Sequence, residues 1–465
     1  MKIRTVPWRA ALLSAAGAAA ALGAMPAASA SADTLPVPAN GIRHIMVIDL
    51  ENESYSSTFG PTSPATYLNH TLLHEGELIP NYYATGHVSL DNYIAQVSGQ
   101  APNAVTNSDC LNAQFQGSYL DMLNNGQTPT LDPNQALYPG QVDGQGCVQP
   151  SIVQTIGDQL DARYPKTTAT NWREYAQDMG NNAVRDGGTP DTSPGAAGGT
   201  TCAHPAVGGL DDTNSATAAD QYADRHNPFI YFHSVIDNQA RCDAHVVPLG
   251  TVTVGTPSTI GTTTLPDTFS GHLATDLASA KTTPRFAFVT PNLCNDGHDA
   301  TCAGTNTEGG TTGGLVGADL WLKHWMPLIL GSPAYKGGHM LVVLTFDEGN
   351  PITDQRACCN EQPGPNYAYP GASPLLFSYY ALYHIPLPTH PGDMPGGGQI
   401  GAVVFNKHFI WGGSVDTTGS YNHYSALRSY EDLLGITTGG SDGQGHLGFA
   451  GAAGLTPFGS DVFTR

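Results

Sequence analysis

Three short stretches of this 465-residue chain place oxygen and nitrogen ligands in the same setting. Glu51 and Asn52 follow the apolar run 45–50, and Asp347 and Glu348 follow the run 339–346. Asp296 and His298 come a few residues after the run 285–290. Each run reads as a strand buried on both faces, the mark of an interior strand in a parallel sheet covered by helices; such sheets hold ligands just beyond the carboxyl ends of their strands. A lone acid after a strand is ordinarily a solvated loop residue or a helix cap. Three sets at one edge would converge, and clustered carboxylates repel unless a cation compensates. Oxygen donors on rigid strand ends suit a hard divalent ion or the rim of a phosphate site.

Ser89 adds a nucleophile. In HVSLDNYIAQVSG it can cap a helix carrying Leu90, Ile94 and Val97 on one face. A hydroxyl there meets unpaired N–H groups and the positive end of the helix dipole, where an oxyanion is stabilised. The plain alternative is an N-cap with no further duty. Asn92, one turn on, either donates to a bound oxyanion or serves structure; His87 either orients a neighbour or packs in a loop. His423 stands at the mouth of a helix expected over 424–434, with Leu427, Tyr430 and Leu434 on one side.

The elements that position these groups form an α/β pattern: a doubly wound, mostly parallel central sheet with helices on both faces. Further strands are expected at 168–172 and 228–235, and helices at 151–163 and 318–330. The intervals 101–150, 187–220 and 250–265 are rich in Gly, Thr, Asn and Pro and read as irregular excursions from one large domain spanning 33–465.

Residues 1–32 have the features of an export signal: Lys2, Arg4 and Arg9, an Ala-rich apolar core, and the small-x-small triplet Ala28-Ser29-Ala30. No other run is long enough to span a bilayer, so no stable membrane anchor is expected. All eight cysteines lie beyond the signal, without Cys-x-x-Cys spacing, and read as disulfides of a secreted protein. Cys110 and Cys147 would hold the first excursion and Cys294 and Cys302 would staple one loop; Cys358 and Cys359 are expected to find different partners, since a bond between neighbours is strained. Removing the three signal cations moves the formal charge from -21 to -24, which disfavours non-specific binding to nucleic acid or anionic membrane.

Read in order, LENESYSSTFG, HVSLDNYIAQVSGQ, FVTPNLCNDGHD, LTFDEG and HYSALRSYEDLLGI resemble the successive motifs of the bacterial and fungal phosphoesterase family, over nearly the whole mature chain. That family includes secreted acid phosphatases and phospholipases C and belongs to the alkaline phosphatase superfamily. The resemblance implies an alkaline-phosphatase-like fold and metal-dependent hydrolysis of a phosphate-ester substrate through a phosphoserine, with one or two divalent ions. It implies Glu51, Asn52, Ser89, Asp347 and Glu348 as metal ligands, and Ser89 as nucleophile. Asp296, His298 and His423 would hold phosphoryl oxygens, a second cation or the leaving group, with His298 or His423 as the activating group. Asn92 and His87 would line the substrate side. Where the family commonly reads His-Pro-Ser-Leu-Pro-Asn-Tyr, this chain has His87-Val88-Ser89-Leu90-Asp91-Asn92-Tyr93, and Thr85 is the reserve nucleophile.

A phosphate monoester is the expected substrate. The alternatives are phospholipid head groups, for which no interfacial amphipathic helix is visible, and a non-enzymatic binding protein with structural calcium. A sulfatase would need a Cys- or Ser-x-Pro-x-Arg segment, which is absent.

Overall fold

The computed structural model describes residues 36–465 except 111–117, 168–169, 194, 211–215, 299–301, 303–307, 309–311, 352 and 372–394. The expected export signal lies outside the described residues.

Eight strands form the central sheet: β1 (His44–Leu50), β2 (Glu77–Ile79), β3 (Trp172–Ala176), β4 (Val246–Pro248), β5 (Phe286–Thr290), β6 (Met340–Phe346), β7 (Ala402–Phe405) and β8 (Ser414–Val415). They lie in the order β8-β2-β7-β6-β1-β5-β3-β4. From β6 to β4 all neighbours are parallel; β7 runs antiparallel to both β6 and β2. Every residue of β1 and β6 is buried, so both faces are covered. That explains why these strands carry continuous apolar runs instead of alternation. The fold is α/β, with a mostly parallel sheet among helices.

Helices α1 (Ser89–Ser98), α2 (Ile156–Arg163) and α4 (His423–Leu433) form one group, with α1 packed on both of the others. The long helix α3 (Gly314–Gly331) belongs to another group, with the short helices Thr66–His70 and Pro333–Lys336. Residues Leu35–Arg465 form one unit by their contacts.

Four expectations are corrected. The apolar run at 228–235 is no strand: Pro228–Tyr231 is a 3₁₀ turn followed by a helical turn, His233–Ile236. Pro228 starts the turn, and Phe229 stacks on Trp172 with ring centroids 4.5 Å apart, so burial from all sides mimicked a strand. The strand expected at 168–172 begins instead at Trp172. The helix expected from 151 starts at Ile156, where Thr155 and Asp158 form a reciprocal capping box that Ile152, left exposed, does not enter. The interval 250–265 is not irregular: Thr251–Thr253 pairs with Thr268–Ser270, and Ser258–Ile260 with Thr263–Leu265, as antiparallel ribbons.

All described cysteines are bonded: Cys110–Cys147 and Cys294–Cys302 as expected, and Cys202–Cys242. Cys358 and Cys359 bond to each other, against expectation. Cys359 and Asn360 take left-handed backbone angles, φ 63° and 55°, which the short turn around the bonded pair requires.

Candidate active site

In-register pairing of β1 with β6 sets Leu50 beside Phe346, so the residues that follow emerge together at one edge. Three bonds from backbone N–H groups tie these strand ends: Asp347 N–H donates to Leu50 O (2.8 Å), Glu51 N–H to Asp296 O (2.8 Å), and Asn52 N–H to the Asp347 side-chain Oδ1 (2.8 Å). Asn52 has φ 48°, a left-handed angle that Asn tolerates better than most residues. The sheet edge thus brings together Glu51, Asn52, Asp296, Asp347 and Glu348.

Helix α1 delivers Ser89 to that edge, but not as its cap. The cap position is Val88, and Ser89 is the first helical residue. Its Oγ donates to Glu51 Oε2 at 3.1 Å. Val88 has φ 73°, an outlier for a β-branched residue worth roughly 1–3 kcal/mol of strain. Its neighbours hold it there: Val88 N–H donates to Glu348 Oε2 at 3.3 Å, and His87 Nδ1 bonds the same oxygen while Nε2 meets Asp354 O at 2.9 Å. Two turns along α1, Gln96 donates to Asp49 Oδ2 at 2.6 Å, so α1 is fastened to β1 at two points.

Asn92 and His423 are placed differently from a substrate contact. Asn92 Oδ1 accepts from the backbone of Thr85 (3.0 Å) and Gly86 (2.8 Å), and its Nδ2 donates to Gly86 O (3.0 Å). Its amide is spent on the turn before the nucleophile, the structural option left open by the sequence. His423 is buried, with Nε2 at 2.7 Å from Asp347 O and Nδ1 at 3.3 Å from the Tyr82 hydroxyl. It supports the Asp347 backbone. His298 is exposed, its N–H held by Asp296 Oδ1 at 3.0 Å. Thr85 is fully buried, its hydroxyl donating to Asn92 Oδ1 at 3.3 Å.

The sequence reading missed His226. It ends the 3₁₀ turn Asp224–His226, stacks on Tyr93 at 5.3 Å, and sets Nε2 2.8 Å from Glu51 Oε1 and Nδ1 3.7 Å from Asp296 Oδ2. The short Nε2–Oε1 approach is out of line for a ring N–H, so neither atom makes a directed hydrogen bond. Arg225, beside it, lies 3.4 Å from Asp109 Oδ2. The one available signal was the triplet Asp224-Arg225-His226, polar residues set directly before a buried apolar run.

Charges in the site oppose one another. Burial works to raise the Glu51 carboxyl, yet His226, then Arg225 and His298, hold it below its ordinary value. Burial pushes Asp347 well up, and Glu51 and Glu348 push further; Glu348 is raised by burial and then by Glu51. Burial lowers His87 to about 4 and His423 to about 4. Burial and mutual repulsion thus oppose ionisation of Asp347 and Glu348, whereas the neighbouring cationic groups favour it at Glu51.

Glu51 Oε1, Asn52 Oδ1 and Asp347 Oδ2 are buried oxygens without a hydrogen-bond partner, which fits a hard cation among Glu51, Asn52, Asp347, Glu348 and Ser89. Among the described residues no three His, Cys, Asp or Glu side chains form a closed cage, so the fit rests on these oxygens and on Asn and Ser as donors.

No family model matches the chain. It is 25% identical over 306 residues to a probable acid phosphatase of Kluyveromyces lactis, covering 66% of this chain and 47% of that protein. It is 25% identical over 280 residues to the phosphate-repressible acid phosphatase of Penicillium chrysogenum, covering 60% and 42%. The chain thus spans less than half the length of these relatives. Among solved structures, a Vibrio parahaemolyticus protein of the alkaline phosphatase superfamily is 11% identical with a TM-score of 0.37, covering 85% of this chain and 66% of that one. The alkaline phosphatase PafA is 10% identical with a TM-score of 0.34, covering 92% and 99%. Likenesses as distant as these two say nothing about chemistry. In sequence the chain is similar to acid phosphatases, in agreement with the phosphoesterase resemblance of its motifs.

Proposed function

We propose that the chain is a metal-dependent phosphoesterase that hydrolyses phosphate monoesters through a phosphoserine at Ser89. The observation that carries this reading is the Ser89 hydroxyl, free of capping duty and 3.1 Å from Glu51, in a buried edge of partnerless oxygens. The acid-phosphatase relatives support the reaction class. A divalent ion, held by Glu51, Asn52, Asp347, Glu348 and Ser89, would neutralise phosphoryl oxygens and favour the serine alkoxide.

The chain's own groups carry the steps. Ser89 Oγ attacks phosphorus in line as its proton passes to Glu51, whose Oε2 already accepts from it at 3.1 Å. The Oγ–P bond forms and the bond from phosphorus to the ester oxygen breaks. His298, on the exposed side, donates a proton to that departing oxygen. Water then attacks the phosphoserine and gives a proton back to His298, the P–Oγ bond breaks, inorganic phosphate leaves, and Glu51 returns its proton to Ser89. Arg225, whose charge acts on Glu51, would supply positive charge toward the phosphoryl oxygens.

Phospholipid head groups remain the second substrate reading, for one reason. Leu120, Leu123, Leu131 and Leu137 are exposed on the first excursion, which Asn107 ties to His87 O. Four disulfides suit an exported protein, and among the described residues no helix is long and apolar enough to cross a membrane.

The test is a parallel assay on a chromogenic monoester, a diester and phosphatidylcholine micelles, after chelation and readdition of single divalent ions. Monoester turnover that is lost and restored supports the proposal. Full activity in protein shown by elemental analysis to be metal-free, or no turnover of any ester, sinks it; preference for the micelles moves the reading to a phospholipase.

A further inference from the structure

Of the four described disulfides, three are shut away: Cys110, Cys147, Cys202, Cys242 and Cys294 are at most 1% exposed, and Cys302 is 7% exposed. Cys358 and Cys359 are only half-buried. This pair stands between two segments that support acids of the candidate site. On one side, Asp354 O and Gly371 O belong to the same loop as the pair and accept from His87, Nε2 at 2.9 Å and the backbone N–H at 2.8 Å. His87 Nδ1 in turn bonds Glu348 Oε2. On the other side, Cys358 Sγ lies 3.2 Å from Tyr421 O and Cys359 Sγ 3.3 Å from Ser420 O. That segment leads straight into His423, whose Nε2 meets Asp347 O at 2.7 Å.

A bond between adjacent cysteines closes a ring that contains their own peptide unit, so the backbone there loses freedom that free thiols would restore. Cys359 and Asn360 stand at left-handed angles, φ 63° and 55°, which residues with a side chain leave readily once nothing holds them. Cys359 also packs against the apolar cluster of Ala95, Tyr424, Phe449 and Leu455, which joins α1 to α4. Backbone bonds carry the constraint toward His87: Gln355 O and Arg356 O accept from the N–H groups of Gly396 and Gly398, each at 2.9 Å.

We propose that Cys358–Cys359 is a redox modification site: an external dithiol reduces it, and the loop then loosens its hold on His87 and, through Glu348, on the divalent ion. A thiolate of the dithiol attacks one sulfur of the pair and forms a mixed disulfide, which its second thiolate resolves. The dithiol is left as a cyclic disulfide, and its two electrons and two protons end on Cys358 and Cys359 as thiols. The three buried bonds are spared because the reductant does not reach their sulfurs. The effect on the ion rests on the metal-dependent phosphoesterase reading; the reduction of the pair and the loosening of the loop do not.

The experiment treats the full, metal-free chain with dithiothreitol under native conditions, removes the reductant, and maps free thiols by alkylation and mass. Label on Cys358 and Cys359 alone is expected. Hydrogen exchange in peptides covering His87 and residues 354–371 should then be several-fold faster, with peptides around Cys202 unchanged. Binding of manganese, followed by the spin-resonance signal of the free ion, should weaken about tenfold and recover on reoxidation. The double variant Cys358→Ser/Cys359→Ser should match the reduced wild type and ignore the reductant; should it fail to fold, the wild-type comparison decides alone. Label on the buried cysteines first, or equal exchange over His87 and 354–371 before and after reduction, overturns the proposal. Equal manganese affinity in the two states overturns the link to the ion, whereas no manganese binding in either state overturns the metal reading on which that link rests.

Discussion

Around Arg185 three acids converge: Asp186 bonds its Nε, Asp220 Oδ2 lies 2.8 Å from Nη1, and Asp224 Oδ2 lies 3.5 Å from Nε. Around Glu51 the acids are as well buried, yet among the described residues the cationic groups that act on it are His226, out of line, and then Arg225 and His298. In the first cluster the fold carries its own counter-charge and Arg185 is held even more firmly protonated, burial being outweighed by Asp224 and its neighbours. In the second, Asp347 and Glu348 are pushed toward the neutral form. The first cluster is complete as architecture; Asp347 and Glu348 are acids that the proposed divalent ion would hold.

The largest effect that can break this contrast is expected at Ser89. Ser89→Ala should lower the chemical rate by about 10⁴-fold, some 5 kcal/mol of barrier, and remove any phosphoenzyme trapped by rapid quench with a labelled monoester. Label mapped to Thr85 would transfer the role. Ser89→Ala with near-normal turnover would make the edge an ordinary polar surface.

Next in size is Arg185→Met, which leaves two buried acids, Asp186 and Asp224, and the half-buried Asp220 without their cation. A loss of roughly 3 kcal/mol in urea denaturation is expected, with turnover per folded molecule unchanged. A fall in turnover at unchanged stability would erase the distinction between the two clusters.

His87→Gln should be milder. It removes the group that orients Glu348 and should weaken divalent-ion affinity, read by activity against free metal, roughly 10- to 100-fold. An unaltered metal titration would show that Glu348 needs no support.

The smallest effect sharpens the structural side. His446 bridges Asp432 (3.0 Å) and Asp442 (2.6 Å). Burial alone would lower it, but the hydrogen bonds from both acids raise it above 6.5. Because the folded value is the higher one, its contribution is complete below the unfolded value of about 6.5 and fades as pH rises through the folded value. His446→Gln should cost no more than about 1 kcal/mol at mildly acidic pH and nothing at alkaline pH, since the link is partly exposed. Melting curves of both proteins across pH check this; a deficit that grows with alkalinity contradicts it.

Much of the frame could be read directly. The runs at β1, β5 and β6 announced interior strands because residues buried on both faces must all be apolar, and the polar residues that follow stood out against them. The loss of the 228–235 strand shows the limit: a segment wrapped by Trp172 and its neighbours is as apolar as a strand without being one. Asn92 and Ser89 show another. Both residue types are competent for catalysis and for local structure, and only their hydrogen-bond partners distinguish the two.

What the sequence by itself determined is the interior strands β1, β5 and β6, the chemical types that follow them, the even cysteine count and the order of motifs that resemble those of phosphoesterases. Tertiary structure alone decided partnership. Asn52 meets Asp347 across 295 positions because parallel register, not proximity in the chain, sets which strand ends share an edge, and His87 meets Glu348 across 261 because α1 is packed against that edge. It likewise brought His226 to Glu51 from a turn that no periodicity marks, and joined Cys358 to Cys359. The physical reason is that a residue pattern reports how deeply a segment is buried, whereas a site depends on direction, which exists only after the sheet has fixed its register.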